Sequence, residues 1–255
     1  MSGLLTILAH PDDESLACGG IIARCVDAGI PVVIACMTRG EDAESADGDR
    51  ARLATVRSGE LHDAASMLGV RTVVLFDYPD GELPWLDRAR QTQLEADIAA
   101  IVRRERPVAV ITFDEDGLYW HPDHIALHMR TNAAISSLGP GAPALYYVTI
   151  PAGAMRAVVD EVSLESTGIP ARADILGIED PDAFGALAPG PDVVVDVSSV
   201  ASRKLAALRC HRSQIVGGAL DRITEDQAPH LLGIEQLRRA PIGATGPTFL
   251  DGMGR

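Results

Sequence analysis

Five short apolar runs, separated by stretches of helical spacing, restrict this chain more than any other feature. Leu4 to Ala9, Pro31 to Met37, Thr72 to Phe76, Val108 to Phe113 and Leu145 to Ile150 read as strands. Between them Ser15 to Ala28, Asp49 to Leu68, Leu86 to Arg104 and Pro122 to Ser137 read as helices, the first two stopped by Gly29 and Gly69. Strands joined by helices imply right-handed crossovers and an α/β fold with a doubly wound, mostly parallel sheet of the Rossmann-like kind. In the usual order 3-2-1-4-5, strands one and four are neighbours where the winding reverses, and ligands bind in the crevice outside their carboxyl ends.

The segments just past those two strands are therefore informative. After the first comes Ala9-His10-Pro11-Asp12-Asp13-Glu14, and after the fourth comes Asp114 to Trp120 and then His121-Pro122-Asp123-His124. A catalytic zinc commonly takes three protein ligands from His, Asp and Glu and keeps an open position for water. His10, Asp13 and one or both of His121 and His124 supply such a set, while Asp12 is left free as a base. His124 and His128, four apart, are a rival pair on one helical face; His124 is preferred because it lies at the helix start, and His128 reads as a packing residue. A lone His10 or His124 would read as a structural histidine, and Asp12 and Asp123 also suit helix N-termini. Two His-Pro-Asp clusters at neighbouring strand ends are harder to assign to packing.

Past residue 150 the pattern weakens. Pro151 to Pro191 is rich in Gly, Pro and Ala, with a helix expected near Ala154 to Val162. A strand is expected at Val193 to Val197, a helix at Ser199 to His211, and a short helix near Gln227 to Arg239. Residues 1–150 are read as the metal-binding core and 151–255 as a smaller C-terminal portion that completes the sheet and covers the crevice.

Composition removes several classes of function. A net charge of -14 with no basic run argues against nucleic acid. No run of about 18 apolar residues provides a membrane span, and the N-terminal apolar run is too short for a signal segment. Four cysteines without CxxC spacing read as reduced thiols of a cytoplasmic protein. A homo-oligomer is compatible with the sequence.

The two clusters together resemble the PIG-L/LmbE-like family of zinc-dependent N-deacetylases. The resemblance extends through Arg57-Ser58-Gly59-Glu60, Leu68-Gly69-Val70, Asp80-Gly81, Tyr119, Lys204 and His211-Arg212-Ser213-Gln214. It implies Zn²⁺ on His10, Asp13 and His124, with Fe²⁺ or another divalent ion as a substitute. It implies Asp12 as general base, His121 and Tyr119 as groups that meet the oxyanion or the leaving amine, and Asp123 beside them. Arg57 and Asp80 match positions that contact the sugar in relatives, and Trp120, on an expected loop, is read as lining the pocket. The implied substrate is an N-acetylglucosaminyl conjugate, a small molecule, which loses acetate. The rival readings are an amidase acting on a larger acyl group, such as a mycothiol-type thiol conjugate, and a catalytically silent sugar-binding protein. The thiol-conjugate branch tends to carry a Lys where this chain has Leu16-Ala17-Cys18. A plain nucleotide-binding domain is disfavoured because no Gly-x-Gly-x-x-Gly follows the first strand.

Overall fold

In the computed structural model, residues 3–43, 48–164, 174–186 and 190–254 are described. Strands β1 (Leu4–Leu8), β2 (Val32–Thr38), β3 (Thr72–Tyr78), β4 (Ala109–Phe113) and β5 (Ala144–Thr149) are mutually parallel. Helices α1 (Asp13–Asp27), α2 (Arg50–Leu68), α3 (Arg88–Glu105) and α4 (Pro122–Ser137) connect them. Two further strands, β6 (Val193–Asp196) and β7 (Ile234–Gly243), extend the same sheet, in the order β3-β2-β1-β4-β5-β7-β6. Every residue of β1, β2, β4 and β5 is buried, which is why these strands read as unbroken apolar runs. Each fully buried Leu or Ile among them contributes about 1.5–3 kcal/mol.

Helix α2 ends at Gly69, whose φ of 83° lies in the left-handed region, as its position in the sequence suggests. The C-terminal portion adds α5 (Ala154–Leu164) and α6 (Ala201–Leu208), and α6 packs on α1 and α2. Gly20 of α1 lets the link after β6 come close: a Cβ there would lie 2.5 Å from Val197.

One expectation is overturned. The helix expected over Gln227 to Arg239 is only a turn at Ala228–Leu231, followed by the ten-residue strand β7. Good helix formers such as Glu235, Gln236, Leu237 and Arg238 fill the segment, but β7 lies between β5 and β6 and pairs antiparallel with both. Its buried Glu235 and Leu237 alternate with the less buried Gln236 and Arg238. Pro241 falls where the β5–β7 register shifts, a position that tolerates its missing donor. The helix expected over Ser199 to His211 is also shorter, so His211 lies beyond its end.

Candidate functional site

The first and fourth strands end side by side, and the two His/Asp clusters meet there. His10 Nδ1 lies 3.1 Å from His124 Nε2. Asp13 joins both, with Oδ2 3.5 Å from His10 Nδ1 and Oδ1 3.2 Å from His124 Nε2. Its Oδ2 also accepts the His10 amide at 2.8 Å, which turns the carboxylate back toward the histidine.

The other ring nitrogens fix the tautomers. His124 Nδ1 faces the Gly117 carbonyl at 3.1 Å, so it carries the proton and Nε2 presents a lone pair. His10 Nε2 faces Asp80 Oδ1 at 3.0 Å and Asp123 Oδ2 at 3.3 Å, so Nδ1 presents the other lone pair. In these tautomers two lone pairs and a carboxylate converge on one point. Bonds of about 2.0–2.1 Å to a tetrahedral ion put neighbouring donor atoms about 3.3 Å apart, and the separations here bracket that value. The electrostatics agree. Burial alone would lower the basicity of His10, yet Asp123, Asp13 and Asp80 raise it well above the ordinary value. Burial opposes ionisation of Asp13, but His124 and His10 hold its carboxyl well below the usual range. A site that draws a proton this strongly suits a cation, and this donor set fits a divalent metal.

Asp12 stands beside the cluster without joining it. It occupies the N-cap position of α1, but its side chain makes no cap; its backbone sits at φ 132°, a conformation costing on the order of 1–3 kcal/mol. Its Oδ2 accepts from Arg57 Nη2 at 2.9 Å. Burial pushes the Asp12 carboxyl up to about 6, against the Arg57 guanidinium, which favours the ionised form.

His121 and Tyr119 also line the crevice, whose volume is about 400 Å³. His121 Nδ1 accepts the Asp123 amide at 3.2 Å, capping α4, so in the neutral ring Nε2 carries the proton. Burial, then the charges of His124 and His10, push His121 down to about 3, and the ring is neutral. Burial, followed by Asp13 and Asp12, holds the Tyr119 phenol well above its usual value and therefore protonated. Leu118 and Trp120 have positive φ (67° and 68°), so the segment that delivers these groups is strained.

Of four expected site residues, Asp123 and Trp120 are placed away from the crevice, while Asp80 and Arg57 line it with side chains already engaged. Asp123 is fully buried, with Oδ1 accepting Leu83 N at 3.1 Å and Oδ2 accepting Gly81 N at 2.8 Å; it backs His10 and cannot meet a substrate. Asp80 lines the crevice but commits Oδ1 to His10 and Oδ2 to the Asp42 amide at 2.8 Å. Arg57 also lines the crevice; it is 4% exposed and donates to Gly40 O, Pro11 O and Asp12, which braces the Asp12 carboxylate. Trp120 instead faces a separate apolar recess of about 470 Å³, shared with Trp85, because its positive φ turns the chain between Tyr119 and His121. The rival His124/His128 pair is not brought together: His128 Nδ1 faces Phe113 O at 3.0 Å and Nε2 faces Asn132 at 3.0 Å.

The C-terminal portion brings groups that strand and helix patterns do not reveal. Leu176 to Glu179 form one lip of the crevice, with Ser213 and Gln214 nearby. Arg238 of β7 grips the buried Asp114 at the end of β4. Glu14, present in the first cluster, and His211, present in the late one, form a buried pair at 2.7 Å; only their motif membership signalled them.

A family model described as PIG-L, GlcNAc-PI de-N-acetylase, matches residues 5–135. A deacetylase of 1D-myo-inositol 2-acetamido-2-deoxy-alpha-D-glucopyranoside from Mycolicibacterium vanbaalenii is 34% identical over 83% of this chain and 80% of its own. The chain belongs to the PIG-L family. Its fold matches that of N,N'-diacetylchitobiose deacetylase from Pyrococcus horikoshii at 25% identity and a TM-score of 0.63, covering 94% of this chain and 84% of that one. GalB, the 4-carboxy-2-hydroxymuconate hydratase from Pseudomonas putida KT2440, shares the fold at 21% identity and a TM-score of 0.63, over 97% of this chain and 100% of that one. A PIG-L fold alone therefore does not decide the reaction, and the side chains of the site must.

Proposed function

We propose that this protein is a zinc-dependent hydrolase that removes the acetyl group from an N-acetylated amino-sugar conjugate. Asp12 carries the reading: a buried carboxylate beside the donor cluster, outside it, lining the crevice. A binding module has no need of a free base there.

His10, Asp13 and His124 would hold the metal, which when bound supplies polarisation of the amide carbonyl and a more acidic water. Asp12 takes the proton from the attacking water as the new C–O bond forms. The carbonyl π electrons move to oxygen, where the His121 Nε2–H and the Tyr119 hydroxyl donate hydrogen bonds. The C–N bond then breaks. A neutral His121 is a poor proton source, so Asp12 returns its proton to the leaving nitrogen, giving a free amine and acetic acid, which ionises to acetate as it is released.

The relative named for an inositol-linked acetamido sugar supports an amino-sugar conjugate as the substrate class. A crevice of about 400 Å³ with Asp42, Glu179, Ser213 and Gln214 in its wall suits a hydroxyl-rich ring. Four free cysteines support a cytoplasmic setting, and among the described residues no helix is long and apolar enough to cross a membrane. The test pairs metal content with acetate release from N-acetylglucosamine conjugates before and after chelation. Release abolished by chelation and restored by Zn²⁺ is expected; one metal per chain with no acetate from any sugar would sink the reading.

The rival reading is cleavage of a larger acyl group. A clear rate preference for long over short acyl chains would establish it.

A further inference from the structure

We propose that His211, acting through Glu14, positions Asp12, so that the C-terminal portion sets the geometry of the base; the inference rests on the function proposed above. Glu14 is 1% exposed, and its carboxylate accepts three hydrogen bonds. Ser15 Oγ at 2.6 Å and His211 Nε2 at 2.7 Å donate to Oε1, and the Asp12 amide donates to Oε2 at 3.1 Å. Glu14 is therefore the link between a histidine far along the chain and the backbone of the residue that moves the proton.

Asp12 needs such a link. At φ 132° a residue with a side chain persists only where its surroundings over-determine it. Glu14 pins its amide, and Arg57 pins its carboxylate. His211 in turn is fully buried, and its Nδ1 has no partner among the described residues. A buried ring with one bare nitrogen is unfavourable, and an apolar side chain would fill the same space without that cost. The bond to Glu14 is the gain that offsets it. His211 touches none of the donor atoms of the cluster, so it is a positioning residue.

The test compares three variants on the acetate-release assay and in crystals. His211→Leu should lower kcat by about 10–100-fold, leave KM within about threefold and keep metal content at that of the wild type. His211→Gln, whose side-chain amide can donate as Nε2 does, should recover most of that loss. In an Asp12→Asn background His211→Leu should change kcat no further, because the group it positions is gone. The crystal structure of His211→Leu should show Asp12 out of its positive-φ conformation and off Arg57. Should the leucine variant not fold, His211→Asn, too short to reach Glu14, takes its place. Full kcat in the leucine variant, an equal loss in the glutamine variant, an additive loss over Asp12→Asn, or an unmoved Asp12 would each overturn the inference. If the wild type released no acetate, the function proposal would fail, and the crystal structure would still decide whether His211 positions Asp12.

Discussion

Replacing Lys204 with Met should destabilise the protein sharply, because it strips the cation from a buried carboxylate. Lys204 Nζ donates to Glu235 Oε1 at 2.7 Å, with the two side chains 4% and 2% exposed. Glu235 also accepts the amides of Gly20 at 2.8 Å and Ile21 at 2.7 Å. Those amides come just after Cys18, where α1 leaves helical geometry, so Glu235 caps the second half of the helix from a distant strand. Removing one member of a buried ion pair costs about 3–5 kcal/mol. Two amide donors remain to share the charge, which places Lys204→Met at the low end, about 3 kcal/mol. At about 2–4 °C per kcal/mol for a chain of this size, Tm should fall by about 6–12 °C. Urea unfolding with chelator throughout keeps metal linkage out of the comparison. Lys204→Met/Glu235→Gln should be more stable than Lys204→Met by at least about 1 kcal/mol, since the stranded charge is gone. A single variant within about 1 kcal/mol of the wild type, or a double variant losing the sum of both singles, would refute the reasoning.

Asp12→Asn should retain metal and lose about 10²–10⁴-fold in kcat; full activity would remove it as the base. His10→Ala and His124→Ala should each lower metal content after dialysis, and full retention by both would contradict the ligand assignment. Asp123→Asn, which weakens the acceptor behind His10 Nε2, should weaken metal affinity about 10–100-fold in a competitive chelator titration, and an unchanged affinity would detach it from that role. Tyr119→Phe should lower kcat about 10²-fold at unchanged metal content, and an unchanged rate would exclude it as an oxyanion donor.

The order of strands β1 to β5 was legible because parallel strands buried on both faces leave continuous apolar runs, and the crevice follows from that order. The meeting of His10, Asp13 and His124 was legible for the same reason: each comes after a strand whose place in the sheet is determined. Strand β7 was not, because Glu235 to Arg239 favour a helix locally and only pairing with β5 and β6 overrides that preference. Arg57, Asp80 and Asp123 are polar residues near the crevice in any reading of the sequence. Whether such a residue faces a ligand or a neighbouring side chain depends on hydrogen bonds between segments far apart in the chain. Trp120 turned on a single dihedral: a positive φ, unusual for a tryptophan, sends its ring to a different cavity from that of its neighbours.

Strain and support are arranged together around this crevice. The two segments that carry the chemistry leave favourable backbone regions at Asp12, Leu118 and Trp120, at on the order of 1–3 kcal/mol for each residue. Contacts from beyond residue 150 reach both segments. Glu14, bonded to His211, holds the Asp12 amide. The Gly185 amide donates to Leu118 O at 3.0 Å, and Phe184 packs on Tyr119 with ring centroids 4.7 Å apart. Arg238 grips Asp114, two residues before Asp116, whose carbonyl accepts the Trp120 amide at 2.8 Å. The family match over 5–135 contains every donor atom of the cluster but none of these four partners. Cut from residues after 150, the two segments would lose the contacts that offset their strain, so the donor residues of the cluster can be read from the first half of the chain while their geometry is fixed by the second.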